Sequence, residues 1–221
     1  MARVKLTTYG AAIFDLDGTL ILSEPAWEEA KRRVLARMGV TVPQAVYGAF
    51  VGRGLRSFLT AVLGPDLTGD RLVALANQIG AEADTLLPQM RQPVPGATAS
   101  VRRLHDAGLR IAVCSSSPRR HIMAALAHLD LTQAVSLVVS GADLPRGKPD
   151  PLPYQETLRL LRLGPQAAFA VEDALPGVQS AHSAGLAVIG IGTECQAPAF
   201  ASFCHRRVTD YRAFDQLFLD N

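Results

Sequence analysis

The stretch that decides the fold is Ala11-Ala12-Ile13-Phe14-Asp15-Leu16-Asp17-Gly18-Thr19-Leu20. Its apolar start predicts a buried strand, which delivers two carboxylates, Asp15 and Asp17, into a turn at the edge of a sheet. Two acids this close in an apolar environment are tolerated only if a cation neutralises them or one of them keeps a proton. A simple Asp-Gly hairpin is the alternative, but the residues after Gly18 do not form a second alternating strand.

The composition is that of a globular chain without a strongly charged partner. Its 221 residues, 48% of them hydrophobic, suffice for one core and a modest second unit. A formal net charge of +2, with no basic stripe, argues against binding to nucleic acid or to a membrane surface. No apolar run reaches membrane-spanning length and residues 1–8 lack a signal-peptide pattern, so we expect a cytoplasmic protein. The sparse cysteines Cys114, Cys195 and Cys204 fit free thiols in a reducing compartment.

A helical insert follows the two acids. Ser23 is expected to cap a helix over residues 26–38, with Pro25 near its first turn, and further helical patterns cover residues 44–50, 55–63 and 71–87. The proline-rich run at residues 91–96 ends the insert. We therefore expect a cap domain of residues 24–90, inserted on two linkers into a core made of residues 1–23 and 91–221.

From residue 97 onward the pattern alternates between helices and strands. Apolar strands without internal polar residues, lying between helices, predict an α/β fold in which a doubly wound parallel sheet is covered on both faces. The later strands are predicted at residues 109–114, 137–139, 168–171 and 187–191, and the helices at residues 97–107, 119–129, 152–163, 176–184 and 211–219. Such sheets bind ligands at the carboxyl ends of their strands.

Serines follow the predicted strand at residues 109–114. Ser115, Ser116 and Ser117 lie where this strand meets the start of a helix, and hydroxyls with free backbone amides at such a place can bind an anion. Capping of the helix by Ser117, with Pro118 in the first turn, is the alternative interpretation. An anion site and a helix cap can be present together.

A lysine and two more acids follow two later strands. Lys148 lies in a proline-stiffened loop before a helix, a setting suited to holding an ammonium against an acidic ligand, whereas an ordinary loop lysine would be solvated. Glu172 and Asp173 end the strand at residues 168–171, and hard oxygen ligands of this kind suit Mg²⁺. Two solvated acids that cap the next helix are the alternative for this pair.

The order of these groups resembles the haloacid dehalogenase superfamily in its phosphatase form. That family has Asp-x-Asp-Gly-Thr, then Ser or Thr at a strand end, then Lys, then an acidic pair; here these are Asp15/Asp17, Ser115, Lys148 and Glu172/Asp173. The helical insert is similar to the family's small helical cap, and the resemblance implies a Rossmann-like core. The residues around Lys148 and Glu172 look most like the branch that holds β-phosphoglucomutase, sugar- and polyol-phosphate phosphatases and phosphoglycolate phosphatase.

The resemblance implies a Mg²⁺-dependent phosphatase that acts on a small phosphorylated metabolite. Asp15 would be the nucleophile that forms an aspartyl-phosphate, and Asp17 would protonate the leaving oxygen and then activate water. Mg²⁺ would be held by the Asp15 carboxylate, the backbone carbonyl of Asp17, and Glu172 with Asp173.

The resemblance also implies a phosphate-binding set. Ser115, the Ser116 amide and Lys148 would hold the phosphoryl oxygens and neutralise charge in the transition state, with Gly18 beside them. Substrate choice is expected to come from the cap, where Arg53, flanked by two glycines, is suited to reach a second anionic group. An exposed surface arginine is the equally weighted alternative.

Two positions bear on whether the chain is a mutase. Similar mutases carry a histidine where this chain has Trp27 and a lysine where it has Pro118, which argues against mutase activity. Trp27 could wall the entrance to the site, although a lone tryptophan on a helix is more often part of a core. The histidines are expected to have no catalytic role.

Three other functions remain open at this point. A β-phosphoglucomutase-like phosphotransferase is the nearest alternative to the phosphatase. A dehalogenase also uses an aspartate nucleophile, but it needs neither Asp17 nor the pair Glu172 and Asp173. A receiver-like signalling domain has acids, a hydroxyl and a lysine around a parallel sheet, but it lacks a cap inserted after the first strand. We expect a monomer, with a dimer as the alternative.

Overall fold

The computed structural model describes residues 9–218 and is built around a parallel sheet of six strands. The strands are β1 (Ala11–Phe14), β2 (Ile21–Leu22), β3 (Gln92–Pro93), β4 (Arg110–Ser115), β5 (Val135–Ser140), β6 (Ala168–Glu172), β7 (Ala187–Ile191) and β8 (Arg206–Val208). The large sheet has the order β5-β4-β1-β6-β7-β8, and every neighbouring pair in it is parallel. β2 and β3 form a separate antiparallel ribbon.

Helices cover both faces of the large sheet. They are α1 (Glu24–Arg37), α2 (Gln44–Ala49), α3 (Leu55–Leu63), α4 (Gly69–Met90), α5 (Ala97–Asp106), α6 (Arg119–His128), α7 (Leu152–Leu161), α8 (Leu175–Ser183) and α9 (Tyr211–Gln216). The apolar side chains of α5, α6 and α9 pack on one face, and those of α7 and α8 pack on the other. The predicted α/β class with a doubly wound parallel sheet is confirmed.

β1 shows why the strands at the centre of the sheet are apolar throughout. All its residues are fully buried; Ala12 and Phe14 pack into the core on one face, and Ala11 and Ile13 pack into the core on the other. Since successive side chains of a strand point to opposite faces, a strand covered by helices on both sides needs apolar residues at every position.

The chain winds outward from β1 in two directions. After β1 the sheet is extended to β4 and β5 on one side, and then to β6, β7 and β8 on the other. The carboxyl ends of β1, β4 and β6 therefore lie side by side where the winding direction changes, which is the place where open α/β sheets bind their ligands.

The insert α1–α4 has an apolar core of its own. Trp27, Phe58 and Ile79 are among its buried side chains, and α1 packs lengthwise against α4. On the outer side of this packing, Arg37 donates to Glu82 at 3.0 Å. Because the insert buries its own apolar surface, it forms a unit above the carboxyl edge of the sheet. We keep the predicted bounds, residues 24–90, and call this part of the chain the cap.

The ribbon of β2 and β3 lies at the junction between cap and core. Ile21 is paired with Pro93 and Leu22 with Gln92, and the Val94 amide donates to the Leu20 carbonyl at 3.0 Å. The sequence analysis expected two linkers here and did not predict their pairing. A two-residue strand that contains proline has too little pattern to be recognised in advance.

Some element boundaries differ from the predictions. β8 was not predicted, because Arg206 and Arg207 give it a polar start at the edge of the sheet. The predicted helix 211–219 ends at Gln216, and residue 219 lies outside the described residues. α4 continues through Pro88 to Met90 instead of stopping at residue 87. Within residues 9–218, no helix combines the length and the hydropathy needed to cross a membrane.

Candidate active site

The predicted site residues meet at the carboxyl edge of the sheet. β1 leads directly into Asp15, whose amide donates to the Val171 carbonyl at 2.9 Å; β4 ends at Ser115, and β6 ends at Glu172. Because β1 lies between β4 and β6, parallel pairing brings together groups that are far apart in sequence. The site is therefore a direct consequence of strand order.

Lys148 lies between two buried carboxylates. Its Nζ is 2.6 Å from Asp15 Oδ1 and 2.6 Å from Glu172 Oε1, and it donates to the Cys114 carbonyl at 2.9 Å. Its side chain is only 2% exposed. Burial alone would lower the pKa of this ammonium, but Asp15 and Glu172 outweigh that effect and hold its pKa above the ordinary value. Lys148 is thus a permanent cation at the centre of the site.

Glu172 is held from several sides. Besides Lys148, the hydroxyl of Tyr154 on α7 donates to Glu172 Oε1. A Cβ at Gly177 of α8 would lie 1.9 Å from Glu172 Oε2, so only glycine lets that helix approach the carboxylate this closely. The sequence analysis missed Tyr154, because a tyrosine on the apolar face of a helix looks like ordinary core.

Asp173 is held by the turn that follows the first strand. The Thr19 hydroxyl donates to Asp173 Oδ1 at 3.1 Å. Gly18 has φ +89°, and a Cβ there would lie 2.0 Å from Asp173 Oδ2. The Gly18 amide donates to the Ile21 carbonyl at 2.8 Å, so it is engaged within the turn. Gly18 therefore brings the backbone close to an acid from another strand.

Three carboxylates lie close enough to share one cation. Asp15, Glu172 and Asp173 each place a carboxylate oxygen within 4.8 Å of the others. When all are ionised, they leave two negative charges beyond the single charge of Lys148. A donor set made only of hard oxygens, with this surplus of negative charge, fits a small divalent cation such as Mg²⁺.

The electrostatics of this group agree with a need for a cation. Burial raises the pKa of Asp15 well above its usual range, and the charge of Lys148 opposes the rise. Burial, and then the negative charge of Glu172, raise the pKa of Asp173 to about 7, with the hydrogen bond from Thr19 opposing. A divalent cation would keep both acids ionised.

The carboxylate of Asp17 is separate from this group and accepts hydrogen bonds from hydroxyls. Ser115 and Ser117 donate to its Oδ2 at 3.0 and 2.7 Å, and Ser23 donates to its Oδ1. Its backbone carbonyl, which the sequence analysis assigned to Mg²⁺, remains a predicted ligand. Ser23 is the N-cap residue of α1, as expected, but its hydroxyl makes no capping hydrogen bond. The alternative interpretation of Ser117 as a helix cap is wrong, because Pro118 is the N-cap residue of α6. Both hydroxyls donate to Asp17 instead.

The loop after α2 closes the cap onto the core. The Ser116 hydroxyl donates to the Gly52 carbonyl at 3.1 Å. Gly52 has φ +76°, and a Cβ there would lie 2.7 Å from the Cβ of Ala174, next to the acidic pair. The neighbouring Arg53 is exposed and its guanidinium lies 5.6 Å from the Phe50 ring centre.

A second contact between cap and core lies beside Trp27. This ring is 5% exposed and packs edge-to-face on His121 of α6 at 4.8 Å, so it belongs both to the cap core and to the wall of the site. The other side of His121 faces Asp84 of α4, with Nε2 2.5 Å from Oδ1. The sequence analysis gave no function to His121, and its place on a helix offered no signal for this contact.

The space directly above Asp15 and Asp17 is small, and a second cavity of about 430 Å³ lies between cap and core, with Leu55 and Asn77 of the cap and Arg146 of the core among its lining residues. A cavity of about 50 Å³ lies above Asp15 and Asp17, and Trp27, Lys31 and Arg53 are among the cap residues that line it. Ligand pockets are usually several times larger. The volume directly above the two acids is therefore smaller than that of a typical ligand pocket.

The chain matches known proteins over most of its length. The family described as "haloacid dehalogenase-like hydrolase" matches residues 9–185. Validoxylamine A 7'-phosphate phosphatase of Streptomyces hygroscopicus subsp. limoneus is 33% identical, over 87% of this chain and 90% of that protein. Phosphoglycolate phosphatase of Rhodobacter capsulatus is 34% identical, over 80% of this chain and 81% of that protein.

The fold comparison agrees. β-Phosphoglucomutase of Clostridium difficile superposes with a TM-score of 0.83 at 19% identity, covering 96% of this chain and 94% of that one, which shows a common fold. The chain belongs to the haloacid dehalogenase-like hydrolases. Within that family it is a phosphoric monoester hydrolase of the branch that contains sugar-phosphate phosphatases.

Proposed function

We propose that the chain is a Mg²⁺-dependent phosphatase that hydrolyses a small phosphorylated metabolite, a sugar, polyol or glycolate phosphate, through an aspartyl-phosphate. The observation that carries the proposal is the position of Asp15. Its carboxylate is buried at the carboxyl end of the central strand, 2.6 Å from the ammonium of Lys148, and it faces the cavity under the cap. The relatives named above are phosphatases of phosphorylated small molecules, which supports the substrate class.

The first step transfers the phosphoryl group to Asp15. A carboxylate oxygen of Asp15 forms a bond to phosphorus while the bond from phosphorus to the leaving oxygen breaks. Asp17 gives its proton to that oxygen, so the leaving group departs as a neutral alcohol. The three hydroxyls around Asp17 hold its carboxyl group in place for this transfer.

The second step returns the enzyme to its starting state. Asp17, now a carboxylate, takes a proton from a water molecule whose oxygen bonds to phosphorus as the bond to Asp15 breaks. Inorganic phosphate leaves, and Asp17 holds a proton for the next cycle. Ser115, the Ser116 amide and Lys148 would bind the phosphoryl oxygens in both steps, with Gly18 keeping the backbone of the turn close. For this the Ser115 hydroxyl exchanges its hydrogen bond to Asp17, and Lys148 one of its three hydrogen bonds, for a bond to phosphate.

The metal would be held by Asp15, Glu172, Asp173 and the backbone carbonyl of Asp17. Bound Mg²⁺ supplies positive charge that lets an anionic nucleophile approach an anionic phosphate. Glu172 also pairs with Lys148 and accepts a hydrogen bond from Tyr154. It would therefore position these two side chains as well as hold the metal.

The test uses the full chain and p-nitrophenyl phosphate. EDTA should abolish turnover and Mg²⁺ should restore it, and acid quenching should trap a phosphate on the protein that hydroxylamine releases. Asp15→Asn should remove both the trapped phosphate and turnover, the latter by several orders of magnitude. Asp106→Asn, an exposed acid at the end of α5, is the matched control. Full activity in EDTA, or substantial turnover by Asp15→Asn, would overturn the proposal.

A further inference from the structure

A buried lysine lies in the cap directly above the proposed chemistry. Lys31 is on α1, and its side chain is 6% exposed. Its Nζ is 3.1 Å from Glu24 Oε1 and 5.2 Å from the centre of the Phe58 ring. Burying an ammonium in an apolar core is unfavourable, and an apolar side chain of similar volume would usually pack at least as well. Stability alone therefore gives no reason for a lysine here.

Both members of this pair face the cavity under the cap. Glu24 and Lys31 line the same small cavity as Asp15 and Asp17. Within the described part of the chain, Glu24 is the one hydrogen-bond partner of the Lys31 ammonium, which leaves two of its three N–H groups free. Glu24 likewise uses one carboxylate oxygen and keeps the other, and its side chain is 31% exposed. The pair thus offers free donors beside a free acceptor.

The geometry of the pair does not depend on the position of the cap. Glu24 and Lys31 are both on α1, seven residues apart, so they lie two helical turns apart on one face. Any movement of α1 would carry both residues together. Their arrangement is therefore already formed when a ligand enters.

The charges of the pair indicate what it binds. The ammonium and the carboxylate cancel, so the pair does not attract an anion, and a phosphate or carboxylate placed here would face Glu24. A hydroxyl group both donates and accepts, and neighbouring hydroxyls on a carbon chain can use the donor and the acceptor together. Arg53, exposed at the edge of the cavity, is the cap cation that an anionic substrate would use instead.

We propose that Glu24 and Lys31 are specificity-determining residues that bind hydroxyl groups of the leaving group. The substrate is then a phosphate ester of a polyhydroxylated compound, such as a sugar or a polyol. This inference rests on the proposed phosphatase function and narrows its substrate class. A site built to hydrogen-bond substrate hydroxyls discriminates strongly against an analogue that lacks them, because its own polar groups are then left unpaired.

The experiment compares three phosphate esters. Glucitol 6-phosphate carries hydroxyls along a six-carbon chain, hexyl phosphate has the same chain without them, and 2-phosphoglycolate carries a carboxylate. Values of kcat/KM are measured for the wild type, Glu24→Gln and Lys31→Met. The control variants are Glu29→Gln and Arg32→Met, which disrupt an exposed pair (Arg32 Nε to Glu29 Oε2, 2.9 Å) on the same helix.

The wild type should prefer glucitol 6-phosphate to hexyl phosphate. Each of Glu24→Gln and Lys31→Met should reduce this preference about ten- to a hundredfold, mainly through KM, since one charged hydrogen bond is lost. The control variants should keep the preference. Glu24→Gln conserves shape, so it decides the question if Lys31→Met does not fold.

The outcomes separate this inference from the proposed function. If the wild type hydrolyses none of the esters and no p-nitrophenyl phosphate, the proposed function fails. If the wild type hydrolyses the esters but both variants keep its preference for glucitol 6-phosphate over hexyl phosphate, the inference is wrong while the phosphatase assignment stands. The inference is also wrong if Lys31→Met loses more kcat/KM for 2-phosphoglycolate than for glucitol 6-phosphate. Lys31 would then bind a carboxylate.

Discussion

Lys148 determines whether two buried carboxylates can be ionised side by side. Its ammonium is within 2.6 Å of both Asp15 and Glu172. In Lys148→Met the two acids lose that partner and stay buried, and removing one partner from a buried ion pair typically costs about 3–5 kcal/mol. We expect a decrease of that size in the free energy of unfolding, measured by urea denaturation, together with loss of turnover.

The matched control for this prediction is an exposed ion pair. Arg159 on α7 donates to Glu156 at 2.7 Å from a side chain that is 68% exposed. Exposed pairs contribute little to stability because water screens them. Arg159→Met should leave the urea midpoint almost unchanged, and a fall equal to that of Lys148→Met would mean that burial is not the cause.

His121 predicts a pH effect on stability. Its side chain is 4% exposed, and burial lowers its pKa, with the neighbouring Asp84 opposing. As the pH falls, the unfolded chain therefore binds a proton at His121 at a higher pH than the folded chain does. The stability that neutral His121 contributes is complete above its unfolded pKa of about 6.5 and is lost as the pH falls below it.

The measurement is the dependence of Tm on pH. Between about pH 7 and pH 5, the Tm of the wild type should decrease more than the Tm of His121→Gln, because glutamine cannot take up a proton. His105→Gln, an exposed histidine in the last turn of α5, is the control and should follow the wild type. Equal slopes in the wild type and His121→Gln would contradict the prediction.

At the scale of elements, the loop between α2 and α3 is a part of the cap that contacts the core. Gly52 needs a positive φ and lies against Ala174, so Gly52→Ala adds both backbone strain and a steric clash. Strain of this kind costs about 1–3 kcal/mol, which opposes the contact between this loop and Ala174. We expect kcat/KM to fall about ten- to a hundredfold.

A second glycine in the cap separates this effect from general damage. Gly48 is inside α2, and a Cβ there would meet no atom within 4 Å. Gly48→Ala should leave activity intact and raise stability slightly, since alanine is the better helix former. Kinetics and a thermal melt of both variants test this, and equal activity in Gly52→Ala and the wild type would show that the contact with Ala174 is not needed.

At the scale of the whole molecule, the cavity indicates which acceptor takes the phosphoryl group. A mutase must return it to a bound sugar and keep water away from the aspartyl-phosphate. Trp27 and Pro118 line the cavity at the positions where the sequence analysis expects a histidine and a lysine in similar mutases. Without those two side chains, we expect water to be the acceptor.

The test is incubation of the protein with β-glucose 1-phosphate and a trace of β-glucose 1,6-bisphosphate. Any reaction should release inorganic phosphate and form little glucose 6-phosphate. The double variant Trp27→His with Pro118→Lys tests whether the two positions are sufficient to change the acceptor. Formation of glucose 6-phosphate by the wild type, faster than release of phosphate, would show that the interpretation of these positions is wrong.

The parts of the fold that were predicted are those with strong local patterns. The apolar run before Asp15 predicted a buried strand, and the alternation of helices and strands after residue 97 predicted a parallel sheet; the structure has both. β8 and the ribbon of β2 and β3 were missed, because short strands with arginine or proline are formed by pairing with neighbours and not by their own pattern. Local sequence carries no information about such partners.

The sequence by itself determined the family and the chemical groups at the carboxyl edge of the sheet. Asp15, Asp17, Ser115, Lys148 and the pair at residues 172–173 were all predicted to meet at this edge, because their order along the chain resembles that of the haloacid dehalogenase superfamily. Their common edge follows from the predicted parallel sheet, because the carboxyl ends of parallel strands lie at one edge, whereas the strand order that makes them neighbours is seen only in the structure.

Only the tertiary structure decided how these groups use one another. It placed Lys148 between two carboxylates, brought Tyr154 to Glu172, and directed the hydroxyl of Ser23, the N-cap residue of α1, to Asp17. It also set Lys31 above the cavity. The physical reason is that charge pairing and desolvation depend on distance and burial, and both arise when elements far apart in sequence pack together.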